Sequence, residues 1–159
     1  MYRIKQFLWA IFAKLTDEDK KFIDFYLNDK EKALFNKLKE SEKVHSVKVA
    51  REVLQKSLEK DLYDISLVKA ALLHDIGKID SGLNIINKSV ITILNKISPG
   101  ILKKLYRIKP VYSYYNHPEI AITYLDNCDD YIKFLIKNHH NYEIDDEKLK
   151  ILQEVDCKH

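Results

Sequence analysis

The stretch DISLVKAALLHDIGK, residues 64–78, is apolar over most of its length and then changes character at His74 and Asp75. Gly77 fits the C-terminal cap of a helix, so the sequence predicts one helix over 64–78 with the polar pair in its last turn. Lys78 follows close behind. His74 and Asp75 are either ordinary residues on a helix surface or the centre of a metal site. The rest of the sequence favours one of these alternatives.

Length and composition restrict the class of protein. The 159 residues predict one domain with a hydrophobic core of its own, and only three glycines and three prolines favour helices over the tight turns of an all-β fold. A net charge of +3 gives weak support to an anionic ligand and does not indicate a dedicated nucleic-acid partner. Cys128 and Cys157 form no metal-binding pair, which favours a reducing, cytoplasmic setting.

Hydrophobic periodicity predicts helices along the whole chain. No apolar run approaches the roughly 20 residues that span a bilayer, so no transmembrane segment is expected. Residues 4–15 have the spacing of an amphipathic helix, for which packing on the domain is favoured over a partner or a membrane surface. The prediction is an all-α chain, a single compact bundle of about eight or nine helices. Residues 1–39 would form N-terminal helices packed on or extending a core of residues 40–159.

Local signals place most of the helix ends. Thr16 is predicted as an N-cap, and further helices are expected from near Asp29 and over 41–58. Two helices are expected over 84–109, broken at residues 98–100 and ended by Pro110. Pro118 is predicted to begin the next helix, with His117 as its N-cap. A short helix ending at His139 and His140 and a last helix over 145–156 complete the prediction.

The histidines make a collective pattern. A lone histidine on a helix is usually a surface residue or a satisfied core group, but five of the six here lie at or near predicted helices, and the sequence has two adjacent pairs, His74-Asp75 and His139-His140. Side chains at helix ends can project beyond the packed face while the backbone stays fixed. An aspartate beside a histidine adds two oxygens that can each bind a different cation, as in centres whose two ions lie roughly 3.5–4 Å apart.

The segments HSVKVA (45–50), AALLHDIGK (70–78) and LQEVD (152–156) together resemble the H…HD…D pattern of the HD-domain metal-dependent phosphohydrolases. NHPEIAITYL (116–125) and IKNHHNYE (136–143) add an H…HH pattern, as in the HDIG-type members with a dinuclear centre. The resemblance implies one metal held by His45, His74, Asp75 and Asp156, and a second held by His117, His139 and His140 with Asp75 shared.

The resemblance implies an HD-type core and the hydrolysis of a phosphoester of a nucleotide or similar small molecule by a metal-activated water. Asp75 and Lys78 would be catalytic, with Lys78 contacting the phosphate; the alternative for Lys78 is a solvated side chain at a helix end. HD-GYP proteins carry a Gly-Tyr-Pro segment after the double histidine, which the segment from His140 onward lacks. The resemblance therefore implies a dinuclear metal site in this chain but does not imply specificity for cyclic di-GMP.

Mixed imidazole and carboxylate ligands suit transition metals rather than Mg²⁺ or Ca²⁺. Two divalent ions are expected, Fe or Mn first and Zn, Co or Ni as alternatives. Two other functions stay open at this point: a non-catalytic metal- or nucleotide-binding regulatory module, and a di-iron oxygenase. The sequence specifies no oligomeric state.

Overall fold

A computed structural model of the chain describes residues 14–82, 90–94 and 97–159. Within these ranges the chain is all-helical and forms a compact bundle, which confirms the predicted fold class. The helices with complete bounds are α1 (Asp17–Tyr26), α2 (Asp29–Phe35), α3 (Glu40–Glu59), α4 (Ile65–Leu73), the 3-10 helix Ile76–Lys78, α5 (Pro99–Lys104), α6 (Lys109–Tyr124), α7 (Asp130–Asn138) and α8 (Glu147–Lys158).

Residues 90–94 are also helical. The amphipathic helix predicted over residues 4–15 lies outside the described ranges except for its last two positions, which are not helical. No helix in the described part of the chain has the length and hydrophobicity needed to cross a membrane.

Side-chain caps fix where the first helices begin. The Thr16 hydroxyl accepts the Asp19 N–H at 3.2 Å, and the Asp19 carboxylate accepts the Thr16 N–H at 3.0 Å, so the predicted N-cap is confirmed. Asp64 caps α4 by accepting the Ser66 N–H at 2.8 Å. These bonds satisfy amide groups that have no partner within their own helix.

Helix α4 lies at the centre of the bundle. Its residues Leu67, Val68 and 70–73 are completely buried, and it packs against α3 and α7, while α8 packs against both α3 and α4. Ile23 from α1 and Phe35 from α2 belong to the same apolar cluster. Because the C-terminal part of α4 is completely buried, the residues directly after it lie in the interior of the protein.

The predicted helix over 64–78 is wrong at its end. Helix α4 stops at Leu73 with His74 as its C-cap, and a short 3-10 helix follows. Gly77 is not a left-handed cap, since among the described glycines only Gly82 has a positive φ. A Cβ on Gly77 would lie 1.9 Å from the backbone oxygen of His117, so glycine is needed here for the close approach of α6.

Two proline predictions are also wrong. Pro110 begins α6 instead of ending the preceding helix, because proline is tolerated in the first turn, where N–H groups have no intrahelical partner. Pro118 lies inside α6, so His117 is a mid-helix residue and not an N-cap. Pro118 has no N–H to donate to the carbonyl of Tyr114. Nδ1 of His117 donates to this carbonyl instead, at 3.0 Å. The predicted break at residues 98–100 is confirmed, since Ser98 is the N-cap of α5.

Candidate metal centre

The first group of candidate ligands joins three helices. His45 comes from the first third of α3, His74 from the end of α4 and Asp156 from α8. Nε2 of His45 is 3.1 Å from Oδ1 of Asp156, and Nε2 of His74 is 3.3 Å from the same oxygen. The three side chains could hold one metal ion.

The second group consists of His117, His139 and His140. His117 lies in the middle of α6, and the double histidine directly follows α7. Nε2 of His117 is 3.3 Å from Nε2 of each of the other two rings. These three side chains could also hold a metal ion.

Asp75 lies between the two groups. Its Oδ1 is 3.6 Å from Nε2 of His74 and 3.6 Å from Nε2 of His117, and its Oδ2 is 3.8 Å from Nε2 of His45. The residue has φ −97° and ψ 3°, in the sparsely populated bridge region where many active-site residues are found. The turn after α4 therefore directs one buried carboxylate toward ligand atoms of both groups.

Three of the histidine rings are oriented in the same way. In each, Nδ1 lies within hydrogen-bond distance of the carbonyl oxygen three residues earlier, and because a carbonyl only accepts, Nδ1 carries the proton. Nε2 then points into the cluster, as in many metal sites where a hydrogen bond to the second ring nitrogen fixes the ligand. The bonds are His74 to Ala71 (2.7 Å), His117 to Tyr114 (3.0 Å) and His139 to Ile136 (2.5 Å).

The donor atoms fit a transition-metal ion. With metal–nitrogen distances of about 2.0–2.1 Å, neighbouring ligands of a tetrahedral ion lie roughly 3.3 Å apart. The distances of 3.1–3.3 Å given above, two in each group, are close to this value. Because Nδ1 of His117 and of His139 carries the proton, their Nε2 lone pairs face each other with no hydrogen between them. Nε2 of His74 is buried and makes no hydrogen bond of good geometry, although Oδ1 of Asp156 lies 3.3 Å away. A cation within each group would satisfy these atoms.

The charges of the cluster differ between the two groups. Burial lowers the pKa of His74, but the carboxylates of Asp75 and Asp156 outweigh it and raise this pKa to about 9. Burial and the nearby ammonium of Lys78 lower the pKa of His117 to about 3, and burial also places the pKa of His139 well below its usual value. The second group therefore offers neutral imidazoles, whereas a metal ion in the first would displace a proton from His74.

Lys78 is not a solvated lysine. Its side chain is only 9 % exposed, and Nζ lies 2.5 Å from Oδ1 of Asp75 and 3.8 Å from Oε2 of Glu42. Burial by itself lowers the pKa of Lys78, but the two carboxylates outweigh it and raise the pKa above its ordinary value. A buried ammonium therefore lies against the same oxygen that faces both ligand groups.

Sequence reasoning missed two residues at the site. Glu42, one helical turn before His45, is the second partner of Lys78. Gln153 is buried and donates from Nε2 to the carbonyls of Asn138 (3.2 Å) and Asn141 (2.9 Å), which flank the double histidine. Both lie three residues before a candidate ligand on the same helix, and that spacing was the available signal.

The candidate ligands that sequence reasoning named all lie in one cluster. His74, Asp75 and His139 are almost completely buried, whereas His45 and Asp156 are partly exposed and His140 is exposed. Comparisons of the chain with protein-family models, curated proteins and solved structures found no match. The likeness to HD-domain proteins therefore rests on the sequence motifs alone.

Proposed function

We propose that this chain is a metal-dependent phosphohydrolase of the HD type that hydrolyses a phosphoester of a nucleotide or a similar small phosphorylated molecule. The observation that carries the proposal is the position of Asp75. Its two oxygens face His45 and His117, which belong to separate groups of metal-ligand atoms. A carboxylate in that position suits two ions, and the mixed nitrogen and oxygen donors suit Fe or Mn.

When bound, two such ions would neutralise a phosphate group and lower the pKa of a water between them. The protein would supply the rest of the site. Burial of His74 and His139 excludes bulk water from the inner side. His45, Asp156 and His140 border the accessible side, where a substrate would approach.

Lys78 fits a role in binding the substrate phosphate. Its ammonium already lies on Asp75, and a metal ion bound by Asp75 would repel it from that oxygen. The carboxylate of Glu42, 3.8 Å away, would keep the ammonium in the site, and a phosphate oxygen would give it a second anionic partner. A buried ammonium beside the metal ligands favours an anionic substrate over the dioxygen of a di-iron oxygenase.

The experiment is hydrolysis of bis(p-nitrophenyl) phosphate, p-nitrophenyl phosphate and a nucleotide panel by protein loaded with Mn²⁺ or Fe²⁺. We expect Asp75→Asn to lose both metal and turnover, while the matched control Asp126→Asn, on an exposed loop, retains both. Full turnover in a folded Asp75→Asn protein would contradict the proposal. A metal-loaded wild-type protein that hydrolyses nothing would point to a regulatory module, and oxygen consumption by the reduced protein to an oxygenase.

A further inference from the structure

The acidic residues of the chain are distributed unevenly. Residues 81–118 contain none of the 24 aspartates and glutamates but six of the 27 lysines and arginines. Residues 1–16 likewise contain no acidic residue and three basic ones. The rest of the chain is therefore net negative although the total is +3. Among the described residues of the central segment, the side chains of Lys104, Arg107 and Lys109 are exposed.

The same central segment exposes large apolar side chains three or four residues apart in the sequence, on α5, on the start of α6 and in the residues beside them. We call them the 93–112 stripe. Ile97 is 75 % exposed and Ile101 is 50 % exposed. The members of the stripe are Ile93, Ile97, Ile101, Leu105, Ile108 and Tyr112.

Other residues of the segment are already packed. Ile91, Leu102 and Val111 form a small apolar cluster separate from the main core. The ring of Tyr106 contacts that of Tyr112 at a centroid distance of 5.2 Å, which joins the turn after α5 to the first half of α6. The segment thus contains a small packed apolar cluster and the exposed 93–112 stripe, and Tyr112 of the stripe also contacts Tyr106.

We propose that the 93–112 stripe binds the surface of an anionic membrane. Aliphatic side chains would enter the boundary between headgroups and acyl chains, while Lys104, Arg107 and Lys109 would contact anionic headgroups. Tyr112 is suited to the interface, since tyrosine has an apolar ring and a polar end. Isolated exposed apolar residues are ordinary, but six of them within residues 93–112, in a segment of one charge sign, indicate a binding surface.

The charge argues against other occupants of the stripe. A second copy of the chain docked through the same segment would bring like charges together. Residues 1–16 would do the same, because they carry Arg3, Lys5 and Lys14 and no acidic residue. A nucleic acid would contact the basic residues through its phosphates but would leave the apolar side chains of the 93–112 stripe exposed to water.

The test is flotation of the full chain with phosphatidylcholine vesicles, with and without phosphatidylglycerol. We expect binding only when phosphatidylglycerol is present, and weaker binding at high salt, because the Debye length falls from about 10 Å at 0.1 M to about 3 Å at 1 M. Replacing Ile97 and Ile101 together by serine should weaken binding by about tenfold or more. Reversing Lys104 and Arg107 to glutamate should weaken it by at least about tenfold as well.

Matched controls come from the C-terminal end of α3 and the residue that follows it. Leu58→Ser removes an apolar side chain that is 59 % exposed, and Lys60→Glu reverses an exposed charge, both outside the basic segment. Both should leave vesicle binding unchanged. Absence of binding to phosphatidylglycerol vesicles, binding unaffected by the Ile97 and Ile101 substitutions, or capture of an acidic protein without vesicle binding would each overturn the proposal. None of these readouts depends on the metal centre.

Discussion

Replacement of Gly77 by alanine tests whether the approach of the 3-10 helix to α6 builds the site. The added Cβ would lie 1.9 Å from the His117 oxygen, 2.7 Å from the His117 carbonyl carbon and 2.9 Å from the Ala121 nitrogen. The closest of these contacts falls about 1.5 Å short of an ordinary contact at 3.4 Å, and all three are with backbone atoms of a helix, which no side-chain rotation can relieve.

The expected cost is about 3 kcal/mol or more in the free energy of unfolding, equivalent to a Tm lower by roughly 10 °C for a chain of this size. Two other roles for Gly77 would give different results. If it were a left-handed helix cap, alanine would cost only about 1–2 kcal/mol. If the space were open, alanine would stabilise the protein by about 0.4–1 kcal/mol through the unfolded state. Urea unfolding of the purified variant distinguishes the three outcomes.

The same change should weaken the second ligand group, because displacement of α6 carries His117 away from His139 and His140. Metal content of the Gly77→Ala protein should therefore fall relative to wild type. Gly100→Ala is the matched control, since nothing lies within 4 Å of its added Cβ. Wild-type stability and wild-type metal content in Gly77→Ala would refute the reasoning.

Three further predictions follow from the charges of the site and of its supporting helices. Asp64→Ala should cost about 1–2 kcal/mol at neutral pH, because Asp64 caps α4 and pairs with Lys148 at 2.6 Å. Burial raises the pKa of Asp64, but Lys148 and the cap bond outweigh burial and lower this pKa. The stabilisation by Asp64 is therefore present above about pH 4 and is lost as the pH falls through the folded-state pKa. Urea unfolding of wild type and Asp64→Ala at several pH values should show that their difference in stability disappears in acid. Lys78→Met should destabilise the metal-free protein by roughly 3 kcal/mol, because Asp75 loses its cation, and Mn²⁺ should restore much of the loss; equal destabilisation with and without metal would contradict this. Mn²⁺ at about 100 times its Kd should raise wild-type stability by about 2.7 kcal/mol, and a chelator added before calorimetry should reverse the gain.

Local sequence signals predicted much of the fold. The N-cap at Thr16, the break before Pro99 and the extents of α3 and α8 to within about two residues follow from caps, proline and hydrophobic periodicity. These features depend on residues close together in the chain. The spacing of histidines and aspartates also identified side chains that the fold brings into one cluster.

Two of the errors depend on contacts between distant segments, and a third depends on a side-chain hydrogen bond within α6. Gly77 looks like a helix cap within its own sequence, and only the backbone of His117, forty residues later, shows that it is a point of close approach. Pro118 looks like a helix start until the His117 ring is seen bonding the carbonyl that proline leaves unpaired. Gln153 gave only its spacing from Asp156 as a signal, because its partners are backbone carbonyls beside the double histidine.

The central claim is that two groups of ligand atoms around Asp75 each hold a transition-metal ion. The most direct test is metal content per chain by mass spectrometry, on protein purified without oxygen, with the His139→Ala and His159→Ala variants measured alongside. The account predicts close to two ions per chain in wild type and in His159→Ala, and a loss of about one in His139→Ala. A wild-type chain that holds no more than one transition-metal ion even after titration with metal would contradict it.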